Sequence, residues 1–249
     1  MTIVFSRLAS SAPPDVPRMG ILVLDTRFPR ILGDVGNPDT WPFPTLLRTV
    51  GGASPLRVAG ENADGLLDAF VEAGRELVAA GARGIITTCG FLVLHQRYLA
   101  GKLDVPVMTS SLLQYATIAR ALPPGRQVGI LTYSREFLTP AYLLAAGADP
   151  ISPIEGVPAG GAFFNVITHG GTTLDRAAME REVVDAAMRL VRRHPDVGAI
   201  LVECANMPPY AVALRRETGL QVFDAYGFFN AFYAAIRPAQ FVAPPVATW

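Results

Sequence analysis

Two stretches of this sequence repeat one pattern, and the repeat limits what the chain can fold into. Ile85–Leu94 reads IITTCGFLVL and Ile200–Tyr210 reads ILVECANMPPY. Each opens as an apolar run of strand type and then breaks into Thr, Cys, Gly, Asn and Pro. Each carries one cysteine, Cys89 and Cys204, and the protein has no other. The match extends outward: Val105 follows Cys89 by 16 positions, and Leu220 follows Cys204 by 16. Cys89 follows Gly20 by 69 positions, and Cys204 follows Gly129 by 75.

Both halves read strand, loop, helix, strand ending in cysteine, helix, strand, helix. In the first half the expected strands are Gly20–Asp25, Gly84–Thr88 and Val105–Thr109. Its helices are Asp64–Ala80, Phe91–Ala100 and Leu112–Ala121. In the second half the strands are Val128–Tyr133, Ile151–Ile154, Gly198–Val202 and Gln221–Phe223. Its helices are Phe137–Ala146, Leu174–His194, Pro209–Thr218 and Tyr226–Ile236. Asp64–Ala80 places Leu67, Phe70, Val71, Leu77 and Val78 on one face, with Gly81 as a stop. Thr26–Ser54, rich in Pro, Gly and aromatics, and the Gly-rich Gly156–Gly171 read as loops. Loops this long in a compact domain are functional or partly helical. Strands alternating with helices imply right-handed crossovers and a parallel sheet. The repeated order implies a pseudo-twofold duplication of an α/β unit.

Composition narrows the function. Hydrophobic content of 51% against 17% charged suits a well-buried globular enzyme. The formal net charge is zero, without a basic run, so nucleic acid is not an expected partner. No apolar stretch approaches the roughly 18 residues of a spanning helix, and no membrane partner is expected. Met1–Arg18 is Ser/Pro-rich and lacks the apolar core of about 7–15 residues that a secretory signal needs. It reads as a flexible leader, and the expected compartment is the cytoplasm. Two cysteines do not make a disulfide framework, and no spacing suits structural zinc. His95, His169 and His194 are scattered, so no metal is expected. The single lysine, Lys102, lies in a polar turn. A pyridoxal phosphate enzyme needs a Schiff-base lysine, so the chemistry is expected to need no cofactor.

Ligands in open parallel sheets bind beyond the carboxyl ends of strands. Cys89 and Cys204 both fall there, just before a helix, where negative charge is favoured and a thiol can ionise below about 8.5. A thiolate can act as a base and its thiol partner as an acid. Arg48, in WPFPTLLRTVGG, is the leading candidate for clamping a substrate carboxylate, because a guanidinium matches it bidentately. Arg27 and Arg30 compete for that role. Thr87 and Thr88 precede Cys89. Thr132, Tyr133 and Ser134 occupy the equivalent strand end in the second half. These hydroxyls can bind substrate oxygen or cap turns. Gly90, Ala205 and Asn206 follow the cysteines closely enough to touch a ligand, and His169 is a second-tier candidate. Glu203 points to the opposite face from Cys204 if the strand continues, or else pairs with an arginine.

Thr87-Thr88-Cys89-Gly90-Phe91 and Glu203-Cys204-Ala205-Asn206-Met207-Pro208 resemble the paired cysteine stretches of the cofactor-independent aspartate/glutamate racemase superfamily. Glutamate racemases carry Cys-Asn-Thr in the first half and Cys-Thr-His or Cys-Thr-Glu in the second, so Gly90 and Asn206 depart from that pattern. By element order the resemblance runs from Gly20 to Ile236. It implies two pseudo-symmetric parallel-sheet αβ lobes with the active site between them. Positions 19–121 with 222–249 are then expected in one lobe, and 122–221 in the other. It lets Asp25, at the end of the first strand, orient a substrate ammonium or assist Cys89, while the residue by itself reads equally as a helix or turn cap.

The function these readings imply is a two-cysteine racemase or epimerase of a small carboxylic acid, such as aspartate or glutamate. One thiolate removes the α-proton and the other thiol reprotonates the opposite face. A decarboxylase or cis-trans isomerase of the arylmalonate decarboxylase or maleate isomerase type stays open, as does a non-catalytic small-acid binding protein. The expected partners are the small-molecule carboxylate and further copies of the chain in a homo-oligomer.

Overall fold

The computed structural model describes residues 2–239. The elements, in order, are β1 (Val4–Phe5), α1 (Arg7–Ser11), β2 (Arg18–Leu24), β3 (Thr45–Val50), α2 (Pro55–Ala59), α3 (Leu67–Ala79) and β4 (Ala82–Thr87). After a 3-10 turn at Gly90–His95 come α4 (Gln96–Ala100) and β5 (Val107–Met108). A second 3-10 turn, Ser111–Gln114, leads into α5 (Tyr115–Ala121). The second half holds β6 (Gln127–Thr132), α6 (Pro140–Ala145), β7 (Ile154–Gly156), α7 (Ala162–His169), α8 (Arg176–Arg193) and β8 (Val197–Val202). It ends with a 3-10 turn at Pro208–Tyr210, then α9 (Ala211–Thr218), β9 (Gln221–Phe223) and α10 (Ala225–Ile236).

The strands form two sheets, ordered β1-β3-β2-β4-β5 and β7-β6-β8-β9. Apart from antiparallel β1, every pairing is parallel. With β1 set aside, the two orders are identical. The duplication reaches individual bonds. Thr88 N–H donates to Leu22 O at 3.0 Å, and Glu203 N–H donates to Leu131 O at 2.8 Å.

Burial on both faces explains the unbroken apolar strands. Leu22 and Leu24 of β2 face the core shared by the two lobes. Met19, Ile21 and Val23 face the other way, into a smaller core with Trp41, Phe43 and the α10 residues Phe229, Phe232 and Tyr233. Helix ends follow local chemistry. Asp175 caps α8 by accepting from Ala178 N–H at 2.9 Å, while Arg192 and Arg193 favour its C-terminal end. Gly219, at φ 70°, takes the left-handed position that closes α9. No helix among the described residues is long and apolar enough to cross a membrane.

Several expectations are corrected. The supposed leader is structured: Val4 and Phe5 extend the first sheet along β3, and the Ser6 hydroxyl accepts from Ala9 and Thr45 N–H. The loop expected at Thr26–Ser54 contains β3, and that at Gly156–Gly171 contains α7. The short strand expected at Ile151–Ile154 lies at Ile154–Gly156. The lobes also exchange helices. Helix α5, expected in the first lobe, packs on β6, and its Tyr115 hydroxyl bonds Ser152 at 2.7 Å. Strand β9 pairs with β8, so the second lobe runs past position 221 to Phe223. Helix α10 then returns to β4 of the first lobe. The tail beyond position 239 lies outside the described residues.

Candidate active site

Each cysteine stands two residues beyond its strand, Cys89 after β4 and Cys204 after β8. Both are unbonded to each other, buried, and line one narrow pocket. Leu24, Phe28, Phe91, Tyr133 and Ile167 give it apolar walls, and Arg30 supplies a cation.

The turn carrying Cys89 is held from below. Thr87 Oγ1 donates to Thr109 O at 2.6 Å and accepts from Cys89 N–H at 3.4 Å. Thr88 Oγ1 accepts from Leu24 N–H at 3.0 Å. The backbone N–H groups of Phe91 and Leu92 and the Arg30 cation favour the Cys89 thiolate, and Leu92 N–H donates to the Cys89 carbonyl at 3.2 Å. Cys204 is set differently. Its S–H donates to Asn206 Oδ1 at 3.7 Å. Asn206 Nδ2 in turn donates to Asp34 at 2.6 Å, and Asp34 accepts from Arg30 at 2.7 Å. Arg30 also donates to Thr26 Oγ1 at 2.9 Å and lies 4.9 Å from the centre of the Phe28 ring. Val35 N–H donates to Ala205 O at 3.2 Å, so the first lobe's loop braces the second lobe's cysteine turn.

Glu203 fills the place that Thr88 holds in the first half. It is 1% exposed. Its Oε2 accepts from Thr132 Oγ1 at 2.7 Å, while Oε1 has no partner. Its carboxylate packs against Gly90. A Cβ at position 90 would lie 2.6 Å from Glu203 O and 2.9 Å from its carboxyl carbon, so only glycine fits there. Burial raises the Glu203 pKa to about 7, against the opposing bond from Thr132. Burial, and then the Glu203 charge, push Cys89 up to about 12 despite its N–H donors and Arg30. The same two causes hold Cys204 well above the ordinary thiol range. This corrects the expectation that a helix start would favour thiolate: removal from water outweighs the local dipoles here.

Of the residues expected at the site, Cys89, Cys204, Thr88, Gly90, Ala205 and Asn206 line the pocket. Thr87 and Thr132 stand behind it, shaping the Cys89 turn and holding Glu203. Ser134 caps the next turn by accepting from Phe137 N–H at 3.4 Å. Asp25 is exposed and accepts from Gly52 N–H at 3.0 Å. It shares with His169 an adjoining recess that meets the pocket at Thr26, Phe28, Pro55 and Ile167. Arg48 is placed elsewhere. On β3 it pairs with Glu76 of α3, with Nη2 donating at 3.0 Å, and does not reach the cysteines. The cation present is Arg30, named in the sequence only as a competitor. Glu203 and Tyr133 were legible as an acid inside a strand run and a phenol at a strand end, each buried in the pocket with an unpartnered oxygen. Among the described residues, no group of three or more His, Cys, Asp or Glu side chains is arranged to hold a metal ion.

No protein-family model matches the chain. Dimethylsulfoniopropionate lyase 7 of Emiliania huxleyi (strain CCMP1516) is 31% identical over 236 residues, covering 89% of this chain and 68% of that protein. Lyase 3 of the same strain is 30% identical, and the chain spans 60% of its length. Among solved structures, a double mutant of arylmalonate decarboxylase superposes with a TM-score of 0.62 at 18% identity, covering 90% of this chain and 94% of that one. An allantoin racemase from Klebsiella pneumoniae gives 0.60 at 15%, covering 88% of each chain. A glutamate racemase from Bacillus anthracis gives 0.55 at 12%, covering 88% and 82%. These structures share the Asp/Glu racemase-like fold of two parallel-sheet lobes.

Proposed function

Because the chain belongs to the family of the dimethylsulfoniopropionate lyases and carries two cysteines in one pocket, we propose that it is a lyase. Its substrate is a small carboxylate with a sulfonium leaving group on the β-carbon, as in dimethylsulfoniopropionate. The reaction begins as racemisation does, with removal of the proton next to the carboxylate. Cys89 is the base, because two backbone N–H groups and Arg30 favour its thiolate. The proton passes to the Cys89 sulfur, the C–H electron pair forms the carbon–carbon double bond, and the carbon–sulfur pair leaves with neutral dimethyl sulfide. Acrylate remains.

Arg30 meets the carboxylate and stabilises the enolate-like charge that builds on it. Cys204 acts as a neutral hydrogen-bond donor. Its S–H is already oriented by Asn206, which Asp34 anchors. The observation that carries the proposal is the pairing of this family membership with two thiols at equivalent strand ends facing one pocket. The two-base racemisation expected from the sequence is the second reading, supported by the same pair of thiols.

Two assays decide between them. Headspace gas chromatography after incubation with dimethylsulfoniopropionate should detect dimethyl sulfide. Proton NMR of aspartate, glutamate and other small acids in D₂O reads α-proton loss. Exchange of an amino acid with no sulfide release would select the racemase reading, and neither signal would reject both.

A further inference from the structure

The pocket contains one group for which α-proton removal has no use. Glu203 is fully buried, its Oε1 has no hydrogen-bond partner, and the Tyr133 hydroxyl in the same pocket also has none. A buried carboxylate oxygen without a donor is costly, and a carboxylate lacking a donor is matched by a cation that needs none. Aromatic rings flank the site. Phe91 and Tyr133 meet edge to face at 5.7 Å, and Tyr133 stacks on Phe164 at 5.7 Å. A carboxylate in a pocket that Phe28, Phe91 and Tyr133 also line suits a methylated onium group, whose charge is spread over carbon and which donates no N–H bond.

We propose that Glu203, with Phe91 and Tyr133, is the seat for the positive end of the substrate. Arg30 takes the carboxylate and Glu203 the onium, so the pocket selects a zwitterion. This rests on the lyase reading for its substrate class. It also answers a problem in that reading. On its own, the Glu203 charge opposes both thiolates. A bound onium offsets that field and so removes one of the two causes that oppose ionisation of Cys89 when a substrate is present.

The test uses a cation that does not eliminate readily, 3-(trimethylammonio)propanoate, and its neutral carbon isostere, 4,4-dimethylpentanoate. Calorimetry at pH 8 should find the cation bound about tenfold or more tightly than the isostere by the wild-type protein. Glu203→Gln should bring the two affinities close to equal, and Glu203→Asp should keep the preference. A folded Glu203→Gln protein with the wild-type ratio would overturn the proposal.

If Glu203→Gln does not fold, pH supplies the measurement on the wild-type protein. Cation affinity should fall as pH drops through about 7, where Glu203 takes up its proton, while isostere affinity stays level. Cys89, Cys204, Tyr133 and Tyr142 around Glu203 are all pushed upward, away from this range. Arg30 lines the same pocket and is salt-bridged to Asp34 at 2.7 Å. Equal pH dependence for both ligands would also overturn the proposal. Neither readout requires sulfide release, so a protein that prefers the cation yet forms no dimethyl sulfide would reject the lyase reading alone.

Discussion

Replacing Glu203 by Gln removes a charge and keeps the shape, and its effect on stability should depend on pH in a calculable way. The carboxyl ordinarily ionises near 4.5, and burial raises it to about 7. Below pH 4.5 it is neutral in both folded and unfolded chains and costs nothing. As pH rises from there to about 7, the unfolded chain releases the proton while the folded chain keeps it, so folded stability is lost. Above about 7 both are ionised and the loss is constant. At about 1.4 kcal/mol per pH unit the full loss is about 3 kcal/mol. The substituted glutamine does not titrate, and the thiols remain far above this window. Urea unfolding of both proteins at pH 5 and pH 8 isolates the effect. The stability of Glu203→Gln relative to wild type should improve by about 2–3 kcal/mol between the two pH values. Parallel stability changes would refute a buried carboxyl with a raised pKa, and with it the electrostatic account of the pocket.

Four further outcomes are expected. Gly90→Ala drives a methyl into the Glu203 carbonyl and carboxyl and should lower stability by about 1–3 kcal/mol, read by thermal or urea unfolding. Arg30→Lys should cut kcat/KM by about tenfold or more through loss of the guanidinium fork, whereas Arg48→Lys should leave it unchanged, because Arg48 is committed to Glu76. Cys89→Ser should lower sulfide release by about 10²-fold or more, and Cys204→Ser by distinctly less, in headspace assays of the purified variants. Iodoacetamide should alkylate Cys89 slowly at pH 7 and about tenfold faster per pH unit up to pH 10, because its pKa lies at about 12. Mass spectrometry of the labelled peptide measures this, and a plateau below about pH 8 would contradict it.

The central strands were legible because both of their faces are buried, which forces continuous apolar runs such as GILVLD and VGILTY. The cysteine positions followed from the same logic applied twice. Strand β3 was missed because TLLRTV sits among prolines and glycines that read as loop, and the β1 pairing was invisible once β3 was. Arg48 reads as a cleft residue for a related reason: its partner Glu76 lies on another element, and no local spacing connects them. Strand alternation places Glu203 on the far face from Cys204. Strand β8 ends at Val202, so alternation no longer applies to the next residue. The raised thiol pKa values are not legible in the sequence because a helix start is a local signal, while desolvation depends on everything packed around the sulfur.

The exchange of α5 and α10 between the lobes laces the two halves together. A fragment ending at Ala121 would carry α5, whose seat is β6 and Ser152 in the other half. It would lack α10, which covers Met19, Ile21 and Ile86 on its own sheet. The complementary fragment would have the reverse deficit. Each half alone is therefore an incomplete shell with one surplus helix and one bare face. Two fragments mixed in solution should complement one another by trading those helices. In the intact chain each lobe carries part of its neighbour's cover, so drawing the lobes apart would expose both cores at once.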